Sequence, residues 1–329
     1  MSSALAVFCA VLVAAYGLSA AARTPPDDIS TSSPFALAAL GPLGAAGARR
    51  GPPVQRDYIV GGSDARPGEF PHQASMQVVL PGWLPWWDAA PQHLCGGALV
   101  AARWALTAAH CVLGVPAEAK RVEVVLGVTR LSAARWPWSW WGSHQRIRVR
   151  DMLVHEEYVR GIHPHDIALL GLSEAAVESE AVRFARLPHA YEAPAGVASL
   201  SGWGSTSEDG DQPVYPDKLQ RADFPVIDYA ACRAFLDRIN QGRYNPLDPS
   251  MLCVGHLDAA HLGSCSGDSG GPLVQRQDAD DDQAPQTLVG LVSWGLTDCG
   301  SQPYPSVLTS VSQHMDWITN KTQQYGKQA

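Results

Sequence analysis

The decapeptide GSCSGDSGGP at 263–272 places a serine hydroxyl among glycines that can present backbone N–H groups. A serine hydroxyl is a poor nucleophile at neutral pH, so Ser269 needs a neighbouring base, and the oxygen that becomes negative on attack needs donors already in place. Gly267 can adopt a positive φ without a Cβ penalty, which lets its N–H and that of Ser269 point at one spot. The segment predicts a nucleophile beside an oxyanion site, and a simple glycine-rich turn is the alternative.

Two further segments contain the base and the acid that a serine nucleophile requires. The sequence TAAHC contains His110, and HDIALL contains Asp166. Taken singly, each residue is more often structural, as a satisfied core histidine or a turn aspartate. Together with GDSGGP, in the order His, Asp, Ser, these motifs resemble those of the chymotrypsin/trypsin-like serine proteases. The resemblance extends from Ile59 to about Trp317.

The resemblance implies a catalytic triad. Ser269 would attack a peptide carbonyl while His110 takes its proton and returns it to the leaving amine. Asp166 would hold the imidazole in the useful tautomer, and Ser293 would hydrogen-bond Asp166. The other histidines of this region lie in loop-like sequence and are interpreted as surface residues: His155, His163 and His165.

Three classes of function are compared. The resemblance favours a serine-type endopeptidase that acts on protein or peptide substrates and needs no cofactor, with protease inhibitors and an activating protease as further partners. A catalytically silent binding protein on the same fold is the alternative, but such relatives usually lose a triad residue. A hydrolase with a nucleophile elbow is disfavoured because its triad order is Ser, Asp, His. A net charge of −8 without a basic block argues against nucleic-acid binding.

The amino-terminal part of the chain predicts secretion and processing. Residues 4–16 form an apolar run too short to span a bilayer, followed by small residues, which is typical of a signal peptide over 1–22. An uncleaved anchor is the alternative. Residues 23–58, rich in turn formers, are interpreted as a pro-segment and 59–329 as the protease domain. No later segment predicts membrane insertion, so we expect a secreted, extracellular monomer.

Proteolysis is the predicted switch. By resemblance, cleavage before Ile59 frees an α-ammonium that pairs with Asp268, a buried carboxylate that needs such a partner. This pairing would order the oxyanion loop. Tyr58 stands where the family usually has Arg or Lys. We therefore expect either an activator that cuts after aromatic residues, or cleavage after Arg56 followed by trimming.

Cysteine use also indicates a secreted protein. Of seven cysteines, Cys9 lies in the predicted signal peptide, and the remaining set predicts disulfides that the sequence alone does not pair. The resemblance implies the pairs Cys95–Cys111, Cys232–Cys253 and Cys265–Cys299. No C-x-x-C pair is present, and the acidic run at 278–282 is interpreted as a surface loop, so no metal site is expected.

Short β-rich runs separated by turns predict an all-β fold with few helices. The resemblance sharpens this to two six-stranded antiparallel barrels, with the active site in the cleft between them and a C-terminal helix. His110 and Asp166 would come from the first barrel and Ser269 from the second. We predict the helix over 311–321, and none over the helix-favouring residues 173–182, which lie in the link between the barrels.

The substrate pocket is predicted to favour apolar side chains. By resemblance its base falls at Gly263, where trypsin-like members have Asp, and without a carboxylate there Lys or Arg would lose hydration unpaired. Gly295 leaves one wall open to a large side chain, while Ser306 makes the pocket shallower. We expect Tyr, Phe, Leu or Met at P1, with small aliphatic residues second. The residues expected to bind substrate are Gly263, Ser264, Ser293, Trp294, Gly295 and Ser306.

Two tryptophan-rich segments, 83–87 and 136–141, hold most of the eleven tryptophans. By resemblance both are surface loops on the same side of the cleft. They form either an exposed aromatic contact surface or loops whose rings pack on each other. Asn320 begins a glycosylation sequon near the carboxy terminus.

Overall fold

The computed structural model describes residues 62–82, 88–134, 144–207, 213–241, 243–258, 263–277, 284–295 and 303–326. In this part of the chain the strands are β1 (Ser63–Asp64), β2 (Gln73–Val79), β3 (Gln92–Ala101), β4 (Trp104–Thr107), β5 (Arg121–Leu126), β6 (Gln145–Val154), β7 (Ala168–Leu172), β8 (Val197–Gly202), β9 (Gln220–Ile227), β10 (Met251–Val254), β11 (Pro272–Arg276), β12 (Gln286–Trp294) and β13 (Ser306–Ser310). The α-helices are α1 (Ala109–Leu113), α2 (Tyr229–Ile239) and α3 (Met315–Gly326), and 3₁₀ turns cover Leu131–Ala134 and Ser312–His314.

The first barrel is closed and antiparallel, in the order β2-β3-β4-β7-β6-β5. Because β2 pairs with both β3 and β5, the barrel leaves no open edge there. Its core contains aliphatic side chains with at most 1% exposure, such as Leu99, Val124 and Leu170. The apolar runs of β5 and β7 that supply this core are typical of buried strands.

The second barrel has the order β8-β9-β10-β13-β12-β11 and is closed by the pairing of β11 with β8. β1 pairs with the start of β9, whose end pairs with β10. Phe224, Leu273 and Leu308 are fully buried in its core. The two barrels and the terminal helix confirm the predicted fold class.

The terminal helix differs from its predicted bounds. α3 begins at Met315 rather than at 311, because Ser312–His314 form a tighter 3₁₀ turn in which the His314 side chain is held by the Ser310 carbonyl. The helix then continues to Gly326. Residues 173–182 contain no helix, as expected.

α2 is absent from the sequence-based prediction. Asp228 caps it by accepting hydrogen bonds from the N–H groups of Ala230 and Ala231. Phe235 and Leu236 are the buried residues of this helix, apart from the disulfide-bonded Cys232, and they pack in a core cluster that also contains Trp294 of β12. An aspartate followed by an apolar periodicity is a helix start signal, so the sequence did contain the evidence for α2.

The structure contains the disulfides Cys95–Cys111 and Cys232–Cys253. The first ties α1 to β3. Cys265 is also disulfide-bonded, and Cys299, its expected partner, lies outside the described residues.

Other predicted features fall outside the described residues: Tyr58, Ile59, both tryptophan-rich segments and the acidic run at 278–282. Asn320 is exposed on α3. None of the helices in the described ranges combines the length and the apolar character needed to cross a bilayer.

Candidate active site

His110 lies in α1, directly after β4. Its Nδ1 lies 2.7 Å from Asp166 Oδ2, and its backbone N–H donates to Asp166 Oδ1 at 2.9 Å. Because a carboxylate only accepts, Nδ1 of the neutral imidazole carries the hydrogen and Nε2 is the nitrogen that can take up a proton. The carboxylate of Asp166 thus sets both the orientation and the tautomer of the ring.

Asp166 is held from the second barrel as well. Ser293 Oγ in β12 donates to Asp166 Oδ2 at 2.5 Å, and Thr309 Oγ1 in β13 donates to the Asp166 carbonyl at 2.8 Å. Asp166 is only 3% exposed, and a buried carboxylate is costly unless such donors surround it. The pair of His110 and Asp166 is therefore fixed where the two barrels meet.

Ser269 lies in the turn before β11 and is half-buried. Gly96 donates its N–H to the Ser269 carbonyl at 2.8 Å, and Gly270 donates its N–H to the Val292 carbonyl at 2.8 Å. Gly270 has a φ of +72°, and a Cβ there would lie 2.9 Å from the Ala108 nitrogen. The serine loop is therefore packed between β12 and the segment that leads into α1, which brings the three predicted triad residues to the junction of the barrels.

Gly267 has a φ of +96°, a conformation that favours glycine. Its carbonyl lies 3.1 Å from His93 Nε2, and His93 Nδ1 lies 2.8 Å from Ser75 Oγ. Since the carbonyl only accepts, Nε2 donates to it, and burial lowers the pKa of His93 to about 4, so the ring is neutral. Neither the N–H of Gly267 nor that of Ser269 donates a hydrogen bond to any of the described residues. This is the state that the predicted oxyanion site requires.

Asp268 is fully buried behind the serine loop. Its Oδ1 accepts the N–H of Gly204 at 2.8 Å and its Oδ2 the N–H of Cys265 at 3.0 Å. Burial raises the pKa of this carboxyl to about 6, and the two N–H bonds offset only part of the effect. The carboxylate fits because Gly202 and Gly204 have no side chain, since a Cβ at either position would overlap it. In the described part of the chain no cation pairs with it.

The residues expected to bind substrate include two serines that bind each other. Ser264 donates both its N–H and its hydroxyl to Ser306 Oγ, at 3.1 and 3.0 Å. Gly263, which directly precedes Ser264, is buried. Trp294 is also buried, at the end of β12, the strand that pairs with β13 and thus with Ser306's strand. Gly295 is exposed, and a Cβ there would meet no heavy atom of the described residues within 4 Å. This set contains no charged side chain.

The family model described as Trypsin matches residues 59–318. The chain belongs to the trypsin family. It is 36% identical to trypsin-1 of Astacus astacus over 79% of this chain and 98% of that protein, and 33% identical to anionic trypsin of Canis lupus familiaris over 84% and 93%. It is 34% identical to transmembrane protease serine 11C of Mus musculus over 80% of this chain, which spans only 53% of that protein. The chain is therefore a serine endopeptidase, a hydrolase whose substrates are protein chains.

Three histidines of this trypsin-family chain are not exposed, contrary to the prediction: His155, His163 and His165 are half-buried. The rings of His155 and His165 stack with centroids 4.6 Å apart, and His165 Nδ1 lies 3.1 Å from Nε2 of the buried His314. The cause is that the 3₁₀ turn before α3 packs onto the loop that precedes Asp166. This contact joins residues far apart in the sequence, so no local pattern predicts it.

Two residues contribute to the trypsin-family site without a local sequence signal. Thr309 is one of several small polar residues of β13, and only the strand order places its hydroxyl against Asp166. His93 reads as one polar residue in an alternating strand, yet it holds the Gly267 carbonyl.

Proposed function

We propose that this trypsin-family chain is a secreted endopeptidase, made as a zymogen, that hydrolyses peptide bonds with Ser269, His110 and Asp166. The observation that carries the proposal is the double hydrogen bond between His110 and Asp166, at 2.7 and 2.9 Å. The Ser269 loop packs on the segment that leads into α1 and His110, and this shared position supports Ser269 as the nucleophile.

In this mechanism Ser269 Oγ attacks the substrate carbonyl carbon while its proton passes to His110 Nε2. Asp166 stabilises the imidazolium, and Ser293 stabilises Asp166 by donating to it. The oxygen of the tetrahedral intermediate accepts the N–H groups of Gly267 and Ser269. Collapse breaks the C–N bond, the leaving amine takes the proton from His110, and an acyl ester of Ser269 remains. Water then attacks the ester with His110 again as base, and the acid product and free Ser269 are released.

Labelling separates this function from that of a catalytically silent binding protein. After activation, a serine-directed organophosphonate is expected to modify Ser269 and to stop peptide cleavage. Ser269→Ala is the matched control, and it should neither react nor cleave. A folded, correctly processed protein that ignores both the phosphonate and every peptide would contradict the proposal.

Activation by a new amino terminus is supported by Asp268, which is fully buried and has a raised pKa. None of the described residues supplies a cation to its carboxylate. An α-ammonium released before Ile59 would supply the missing charge. The test is amino-terminal sequencing of the precursor recovered from the medium of secreting cells and of the active form. The active form is expected to begin at Ile59, and a beginning at Asp57 would count against this activation.

A preference for apolar or aromatic P1 residues is supported by the uncharged set around Gly263 and by the open position of Gly295. Ser264 donates two hydrogen bonds to Ser306 Oγ, and neither hydroxyl offers a counter-charge to a Lys or Arg side chain. A peptide library varied at P1 should be cut after Tyr, Phe, Leu or Met, with small aliphatic residues second. Gly263→Asp is the matched variant, and it should shift cleavage towards Lys and Arg. Cleavage mainly after Arg by the unaltered protein would refute the assignment.

A further inference from the structure

A cluster of three histidines lies beside the loop that carries Asp166. His155 follows β6, His165 directly precedes Asp166, and His314 closes the 3₁₀ turn before α3. One side-chain atom of each lies within 4.8 Å of the others. The proposed mechanism uses none of these three rings.

His314 directs a lone pair into the cluster. Its Nδ1 lies 2.7 Å from the Ser310 carbonyl, which only accepts, so Nδ1 carries the hydrogen and Nε2 does not. The residue is 3% exposed, and burial lowers its pKa to about 4. At neutral pH its Nε2 is therefore an available metal ligand.

His165 faces that lone pair with its own ring nitrogen. Its Nδ1 is hydrogen-bonded to His314 Nε2, so in the neutral ring Nδ1 carries the hydrogen and donates it to that lone pair. A zinc ion between these two nitrogens, which lie 3.1 Å apart, would replace this hydrogen, and the hydrogen would move to His165 Nε2 beside the Glu157 carboxylate. Two nitrogens bound to one tetrahedral zinc ion at about 2.0–2.1 Å lie about 3.4 Å apart, which is close to this separation.

His155 distinguishes a metal ion from a proton. A hydrogen bond joins only two nitrogens, whereas the stacked ring of His155 places a third nitrogen within 4.8 Å of them. Since this ring is nearly parallel to that of His165, at 10°, it must turn about its side-chain torsions to direct a lone pair at the ion. His155 is half-buried, so the cluster can be reached from solvent, and its Nδ1 accepts only a long hydrogen bond from the Glu157 N–H, at 3.3 Å.

The surroundings favour a cation and a fixed ligand orientation. The carboxylate of Glu157 holds His165 by the nitrogen opposite to the cluster, as is usual behind metal-bound histidines. Asp248 adds negative charge near His314. Glu156 is already paired with Lys321 and accepts a hydrogen bond from Trp317, so it stays on the rim.

We propose that His155, His165 and His314 form a zinc site, with water as the fourth ligand, whose occupation lowers proteolytic activity. Three neutral imidazoles and an open position are a common zinc ligand set. The inhibitory part rests on the proposed function, because it acts through the catalytic acid. His165 is joined by a peptide bond to Asp166, and the N–H of His155 donates to the carbonyl of Ile167 at 3.1 Å. Moving either ring towards a shared ion therefore displaces the backbone that positions Asp166 against His110.

The binding test uses the full chain with Ser269→Ala, which prevents self-cleavage. Zinc is titrated by calorimetry at neutral pH, and cobalt(II) by its visible absorption, which reports a tetrahedral nitrogen site. We expect one ion per chain and an affinity at least about tenfold lower in His155→Gln and in His165→Asn. Asn is chosen because it tolerates the φ of +63° at His165.

His189→Gln, at an exposed histidine away from the cluster, is the matched control and should bind zinc like the parent chain. Equal affinity in the parent chain and in both cluster variants would overturn the site. Circular dichroism of each variant shows whether its fold is retained.

The activity test asks whether the site regulates catalysis. In the activated chain, zinc should lower kcat with little change in KM, and His165→Asn should remove this inhibition. Equal inhibition of parent and variant would place the inhibitory ion elsewhere and overturn the regulatory part. A chain that binds cobalt at the cluster but never cleaves peptides would refute the proposed function and leave the metal site standing.

Discussion

Asp166 binds His110 through both carboxylate oxygens, so its replacement tests orientation rather than charge alone. Asp166→Asn places an amide NH₂ where an acceptor is needed, and the ring of His110 then takes the wrong tautomer. We expect kcat on a peptide substrate to fall about 10⁴-fold with the fold retained. Ser269→Ala sets the background rate.

Ser293→Ala is the matched test of support for that carboxylate. It removes one donor at 2.5 Å and keeps both bonds between His110 and Asp166. A lost hydrogen bond to a charged group corresponds to a fall in kcat of about tenfold. A loss as large as that in Asp166→Asn would contradict the smaller, supporting role of Ser293.

The buried carboxyl of Asp268 predicts that the stability of the uncleaved chain depends on pH. Its pKa is raised from 3.8 to about 6 by burial, so the folded state resists ionisation. Both states are protonated below the unfolded pKa, and the unfolded state ionises first as the pH rises. The stabilising term is therefore lost between about pH 4 and 6, by about 3 kcal/mol. The free energy of unfolding of the uncleaved chain should fall over this range relative to Asp268→Asn, and parallel curves would contradict the raised pKa.

Among the elements, the turn before β11 depends on close backbone contact. A Cβ at Gly270 would lie 2.8 Å from the Gly96 oxygen and 2.9 Å from the Ala108 nitrogen, at a φ of +72°. Gly270→Ala should therefore destabilise the protein by about 2–4 kcal/mol and lower activity by displacing Ser269. Urea unfolding measures the loss. Gly326→Ala, where a Cβ meets no atom of the described residues within 4 Å, is the control and should be close to neutral.

The elements also show which signals a sequence carries. The barrel strands follow from short apolar runs between turns, because each strand buries its own residues. The start of α3 could not be predicted from the spacing of apolar residues. The hydrogen bond between the His314 side chain and the Ser310 carbonyl favours a 3₁₀ turn, and that spacing does not distinguish such a turn from an α-helix. α2 shows the opposite case, because its cap at Asp228 is a local sequence signal.

At the scale of the whole molecule, the motifs predicted the pairing of His110 with Asp166, which lie 2.7 Å apart, but not all of the bonds that hold Asp166. His110, Asp166 and Ser269 stand in local sequences that mark their chemistry. The bonds from Ser293 and Thr309 to Asp166 depend on the second barrel's strand order, which only the closed topology defines. Of these two, Ser293 came from the family resemblance and Thr309 from the structure alone.

Buried neutral histidines predict acid sensitivity for the whole molecule. Burial lowers the pKa of His72 to about 3, and that of His93 and His314 to about 4, from an ordinary value of 6.5. Below pH 6.5 these histidines are protonated in the unfolded chain but stay neutral in the folded chain. The free energy of unfolding is therefore highest above pH 6.5 and decreases as the pH falls. Each histidine removes about 3 kcal/mol or more by pH 4, and the total is comparable to the stability of a typical domain.

His72 allows this to be measured without touching the active site. Its Nε2 has no hydrogen-bond partner in the described residues. His72→Met therefore replaces a titrating ring with a side chain of similar bulk and breaks no hydrogen bond at Nε2. The free energy of unfolding, taken from urea curves at several pH values between 4 and 6, should then fall less steeply by about 1.4 kcal/mol per pH unit, the contribution of one proton. His189→Gln, at an exposed histidine, should leave the slope unchanged. Equal slopes in the parent chain and His72→Met would mean that His72 is protonated in the folded state, and the burial argument for acid sensitivity would fail there.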